Sequence, residues 1–195
     1  MSRGVLQSDV FYCEHIGRCQ SDITDIERFS VLDQAGEGLV DYIRHYALRD
    51  EKSGIMRTYL VRSLASSELV GYFSLKSGLI SINEVETVEG TLFDTVPGVE
   101  LANFAINGVY INAHPSLKGI GTVVFERFIL PIIKQAASVV GVKIVYIFAL
   151  PYDRLINRYK EYGFLRLDQQ AEEDLHSRVK PVYDDGCIFM YQMLT

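Results

Sequence analysis

No run of consecutive apolar residues in the chain approaches the ~20 that cross a bilayer, and the opening MSRGVLQSDV lacks the apolar stretch of a secretory signal. Both absences argue against a membrane protein and lead to the expectation of a cytoplasmic one. Cysteine is scarce: Cys13, Cys19 and Cys187 are three in number, so they cannot all pair within one chain. Their spacing fits no common zinc set, and Cys13, His15 and Cys19 lack an evident fourth ligand, so reduced thiols and no metal are expected. Cations are outnumbered, with 19 Lys and Arg against 25 Asp and Glu and a formal net charge of −6. Binding along a phosphate backbone is driven by Lys and Arg displacing counterions, so nucleic acid is not expected as a partner, although a local basic groove stays open. Internal repeats and low-complexity stretches are absent, as are the Walker loop and the three-glycine dinucleotide fingerprint.

What is present suits one mixed α/β domain over residues 1–195, with 48% hydrophobic and 23% charged residues. Ile26, Phe29, Leu39, Ile43 and Tyr46 recur at helical spacing and predict helices over Asp25–Leu32 and Gly36–Arg49. Arg57–Leu64 and Glu68–Lys76 read as an antiparallel hairpin turning at Ala65-Ser66-Ser67. The glycines, proline and acids of Ser77–Gly98 predict an irregular connection. Val99–Ile111 reads as a long strand interrupted by a bulge at Asn107-Gly108. A long helix follows, with Pro131 expected to kink or split it and Gly141 to stop it. Val142–Leu150, apolar on both alternations, predicts a central strand buried on both faces. After it come a helix over Tyr152–Tyr162, a strand at Phe164–Leu167, a polar stretch to Asp185 and a last strand at Cys187–Leu194.

The chemistry centres on the strand, the turn SLKGIGT and the helix behind it. A Gly-x-Gly turn entering a helix lets bare amides approach an anion, and the positive end of the helix dipole favours phosphate there. A Gly-x-Gly can also be a plain structural turn, so its context decides.

That context resembles the GNAT acetyltransferases. Their pyrophosphate loop runs Gln or Arg, two residues, Gly, one residue, Gly or Ala, after a bulged strand. Here Val109-Tyr110-Ile111 is similar to the strand end and Lys118-Gly119-Ile120-Gly121-Thr122 to the loop, with Ser116 where Gln or Arg is usual and Leu117 where a Gly is common. Independently, Arg158–Phe164 (RYKEYGF) resembles the family's Tyr-Glu-Lys-Leu-Gly-Phe, and the likeness runs over roughly residues 57–194.

The resemblance implies a GNAT fold, a mostly antiparallel mixed sheet with a bulged fourth strand flanked by helices. It implies transfer of an acetyl group from acetyl-CoA to a primary amine of a small molecule, peptide or protein, and such domains commonly form homodimers. Ser116–Thr122 would cradle the pyrophosphate. Val109–Ile111 would supply the N–H that meets the acyl oxygen, and Tyr110 and Ile111 would pair with pantetheine as with an added strand. Tyr159 would protonate or hydrogen-bond the departing sulfur, or else pack on its helix. The general base stays open: Glu100, which is otherwise a solvated strand-end charge, or Glu84, Glu86 or Asp94. His114 is read as an edge residue of the phosphate loop, and Asn103 and Asn107 as lining the acceptor cleft or serving the bulge. Two alternatives remain: a GNAT-type toxin that acetylates aminoacyl-tRNA and is neutralised by an antitoxin, and a non-catalytic acyl-CoA-binding module.

Overall fold

Eight strands are hydrogen-bonded in the order β1-β2-β3-β4-β5-β6-β8-β7 in a computed structural model that describes residues 5–19, 21–87, 90–178 and 186–194, the backbone alone at 82–87, 90–94 and 178. They are β1 (Leu6–Gln7), β2 (Phe11–His15), β3 (Arg57–Ser63), β4 (Leu69–Thr87), β5 (Gly90–Ile106), β6 (Ile144–Ala149), β7 (Leu165–Arg166) and β8 (Ile188–Met193). β5 and β6 run parallel, whereas β1 with β2, β2 with β3, β3 with β4, β6 with β8 and β7 with β8 are antiparallel. The mixed, mostly antiparallel sheet is the one expected.

The helices are α1 (Ser21–Glu27), α2 (Glu37–His45), α3 (Ala47–Ser53), α4 (Gly108–Ala113), α5 (Ile120–Val124), α6 (Leu130–Val139), α7 (Asp153–Glu161) and α8 (Gln169–Arg178). Among the described residues no helix is long and apolar enough to cross a membrane.

The chain groups into two compact units. The first, residues 1–76 and 101–132, packs Ile26, Phe29, Ile43, Leu60 and Tyr72 into one apolar core. Beside that core lies a buried guanidinium. Arg62 donates from Nε to Glu14 at 2.8 Å, from Nη2 to Asp22 at 2.7 Å, and from Nη1 to Asp25 at 2.7 Å and to the Ser67 carbonyl at 3.0 Å. A buried charge is tolerable only when it is paired in this way. Glu14, Cys19 and Asp22 also bring potential metal ligands within 4.8 Å of one another, but both carboxylates already serve Arg62, whose charge opposes a cation.

The second unit, residues 77–100 and 133–195, is centred on Ile80, Ile144, Tyr146, Leu175 and Phe189. β6 is buried along most of its length, in keeping with its reading as a central strand.

Several expectations need correction. Two strands, β1 and β2, precede the first helix, and Tyr46, at φ −117°, breaks the anticipated Gly36–Arg49 helix into α2 and α3. The described residues within 77–98 are not irregular: β4 continues to Thr87 and β5 begins at Gly90. The polar stretch after β7 contains α8, which buries Leu175. The long strand stops at Ile106, and Val109–Ile111 lie in α4.

Candidate active site

The end of β5 is a strand-to-helix corner built on Asn107. Its backbone N–H donates to the Val70 carbonyl at 2.8 Å and its Nδ2 to the Leu69 carbonyl at 2.8 Å. Its Oδ1 accepts from Ser30 N at 3.3 Å and from Val109 N at 3.1 Å, which caps α4. Gly108 then donates to the Ser30 carbonyl at 2.7 Å, and a Cβ there would lie 3.0 Å from Ser30 Oγ. A bulge was the expectation; the asparagine side chain instead replaces the strand's next ladder bonds and starts a helix. The consequence for chemistry is direct. Val109 N is held by Asn107 Oδ1 and Ile111 N by the Asn107 carbonyl at 3.0 Å, so neither is placed to meet an acyl oxygen. Tyr110 is buried in a helix and offers no extended backbone for pairing.

Beyond α4, His114 stacks on the Tyr110 ring at 4.3 Å and its Nε2 lies 3.2 Å from Glu68 Oε2. Hydrogen bonds from Ser66 and His114 hold the Glu68 carboxyl below its ordinary range. Ser116, Leu117, Lys118 and Gly119 are exposed. Gly119 has φ +70°, a left-handed conformation that favours glycine, and nothing lies within 4 Å of the position a Cβ would take. The first turn of a helix leaves its N–H groups without partners one turn back. Val123 N reaches the Gly119 carbonyl at 3.0 Å, which starts the regular ladder behind them.

The helix behind the turn changes character before Pro131. Phe125–Ile129 form a π-helical turn in which Leu130 N donates back to the Phe125 carbonyl. Pro131 follows this widened turn directly, as the second residue of α6. The expected kink or split at Pro131 takes the form of this π-helical turn, and the chain stays helical from Ile120 to Val139.

In the second unit, Tyr159 is buried on α7 and packs edge-on to Tyr162 and Phe164, with ring centroids 6.1 Å and 5.5 Å away. Burial holds its phenol well above the ordinary range, so it keeps its proton at neutral pH. Glu100 is only 4% exposed and accepts from Tyr146 Oη at 3.3 Å, which corrects the reading of a solvated strand-end charge. The side chains of Glu84, Glu86 and Asp94 lie outside the described residues. Asn107 is spent on the corner rather than on a cleft.

No protein-family model matches the chain, and no curated protein matches it. Solved structures do. A crystal structure of AtaTR bound with AcCoA superposes with a TM-score of 0.66 at 18% identity, covering 95% of this chain and 95% of the other. A tyrosine-to-phenylalanine mutant of KacT gives 0.66 at 17%, covering 94% and 95%. AtaT complexed with acetyl-methionyl-tRNAfMet gives 0.62 at 17%, covering 94% of both chains. The fold is the GNAT fold. At these identities the likeness concerns the fold; in this chain α4 lies between β5 and the turn at Gly119. Two features escaped the sequence. Asn107 looked like a bulge residue, although an Asn before a Gly and a short apolar run is also a helix-cap signal. Tyr146 was hidden in a run that read as uniformly apolar.

Proposed function

We propose that the protein is an acyl-CoA-dependent N-acyltransferase, moving an acetyl group from acetyl-CoA to a primary amine. The observation that carries the reading is the open, left-handed Gly119 at the start of a helix in a GNAT fold, where backbone amides and the helix dipole suit a pyrophosphate. Ser116–Thr122 are the residues proposed to hold it, with Lys118 supplying a nearby cation. Because α4 takes up Val109–Ile111, the donor to the acyl oxygen is proposed to come from the extended β5 segment Leu101–Ile106. When bound, acetyl-CoA supplies the activated thioester. Tyr159, holding its proton, would donate to the departing sulfur, and Glu100 is the carboxylate proposed to accept the proton of the amine.

A second reading concerns the acceptor. One structural neighbour, AtaT, was solved with acetyl-methionyl-tRNAfMet, and others are described as toxins bound to the antitoxin AtaR. The net charge of −6 therefore does not argue effectively against an RNA-borne amine, and the expectation that nucleic acid is no partner is withdrawn. The α-amine of an aminoacyl-tRNA joins small amines and peptide N-termini as a candidate acceptor.

The test is thermal unfolding with and without acetyl-CoA, followed by thiol release against an amine panel that includes methionyl-tRNA. A ligand at 100 times its dissociation constant adds about 2.7 kcal/mol, enough to raise the midpoint by several degrees. No rise would refute acetyl-CoA binding; a rise without thiol release from any amine would favour the non-catalytic module.

A further inference from the structure

The turn between β3 and β4 is anchored to the interior of the first unit. Ser67 has a left-handed backbone, with φ of 61°, which a residue carrying a side chain adopts at a cost. Its N–H donates to the Ser63 carbonyl at 2.9 Å, and its own carbonyl accepts from Arg62 Nη1 at 3.0 Å. Arg62 is itself buried and fixed by Glu14, Asp22 and Asp25. Ser63 N closes the turn on the Glu68 carbonyl at 3.0 Å. A strained conformation persists where its surroundings over-determine it, and such places are a starting point for a functional hypothesis.

What the turn presents is Glu68. Its carboxylate accepts from Ser66 Oγ and, at 3.2 Å, from His114 Nε2. The His114 ring also stacks on Tyr110, which is buried and meets Phe11 of β2 edge-on. His114 is thus fixed from two directions. Its carbonyl accepts from Leu117 N at 3.0 Å, which closes a second turn with Pro115 in the position where the fixed φ of proline suits. Ser116 to Gly119 are exposed, so the contact with His114 ties this stretch to the body of the unit.

The hydrogen bonds from Ser66 and His114 hold the Glu68 carboxyl below its ordinary range, so it is negative at neutral pH. A negative charge beside a turn proposed to hold a pyrophosphate repels that ligand, and its presence there calls for a compensating role. We infer, resting on the acyl-CoA reading above, that Glu68 is a positioning residue for the coenzyme turn: through His114 it sets where Leu117 and the turn that runs to Gly119 meet the pyrophosphate.

Glu68→Ala separates the two effects, because they have opposite signs. Loss of repulsion alone would tighten acetyl-CoA; loss of positioning weakens it. By calorimetry the dissociation constant for acetyl-CoA is expected to rise about threefold, the scale of an exposed charged contact. The rise persists when wild type and variant are compared in about 0.5 M salt, which screens exposed charges. In thiol-release assays with the most active amine of the panel, KM for acetyl-CoA rises in step while kcat and KM for the amine stay the same, a split that general destabilisation does not produce. Glu68→Gln, which keeps an acceptor oxygen for Ser66 and His114, restores the affinity. The double variant Glu68→Ala/His114→Ala binds no more weakly than His114→Ala. Ser67→Val, whose branched side chain opposes the left-handed backbone, displaces an intact Glu68 and weakens acetyl-CoA likewise, and it serves if the alanine variant fails to fold. A wild type that binds acetyl-CoA beside a Glu68→Ala variant that binds it equally or more tightly, or additive losses in the double variant, overturns the role of Glu68 alone. A wild type that does not bind acetyl-CoA overturns the acyl-CoA reading, and this role with it.

Discussion

Gly119 concentrates two requirements in one residue. Its φ of +70° penalises any side chain, and the open space around it is where a phosphate would lie. Gly119→Glu adds both strain and a negative charge, so acetyl-CoA affinity measured by calorimetry is expected to fall at least about tenfold. Unchanged affinity would sink the phosphate assignment. Tyr159 separates binding from chemistry. Tyr159→Phe keeps the ring against Tyr162 and Phe164 and removes the proton donor. An ordinary thiol, with a pKa of about 8.5, is a fair leaving group even unassisted, so kcat should drop without vanishing. Acetyl-CoA binding should be spared; an equal loss of both would make Tyr159 a packing residue.

Among the elements, the corner between β5 and α4 depends on one side chain. Asn107→Ala would leave Ser30 N, Val109 N and the Leu69 carbonyl without their partner. Each buried unsatisfied group costs about 1–3 kcal/mol, so the variant should lose at least about 2 kcal/mol in denaturant unfolding. A loss within experimental error would mean that water replaces the carboxamide. This corner also marks the limit of what the sequence discloses. β6, α7 and the hairpin of β3 with the start of β4 were legible because apolar period and turn residues agreed there. The end of β5 was not, because VYI after Asn-Gly has strand-like composition and only the tertiary bonds of Asn107 turn it into a helix. The same holds for residues 77–87 and 90–98, where glycine and proline signalled irregularity but β4 and β5 continue. Around the candidate site, the glycine turn at Gly119 and the helix that carries Tyr159 were readable from motif spacing. The burial of Glu100 was not, since it follows from tertiary packing, the pairing of β5 with β6 included.

For the molecule as a whole, the buried thiol and phenol of the first unit set a limit at alkaline pH. Burial pushes Cys13 up from 9.0 to about 11 and Tyr59 up from 10.0 to about 12, the nearby thiol adding to the latter. Between each ordinary value and its raised one, the unfolded chain has lost the proton while the folded chain retains it. The unfolded state then binds fewer protons, so stability falls as pH rises. The stabilising contribution is complete below pH 9 and is lost progressively toward pH 11 for Cys13, and from pH 10 toward 12 for Tyr59. The net charge of −6 becomes more negative over the same range and adds self-repulsion. Salt separates the two causes, since about 0.5 M screens exposed charges and leaves a buried thiol largely untouched. The melting midpoint is therefore expected to fall from about pH 9 upward even in high salt. Cys13→Ala should flatten the first part of that fall. A midpoint that stays level to pH 11 in high salt would show that Cys13 and Tyr59 meet water in the native state.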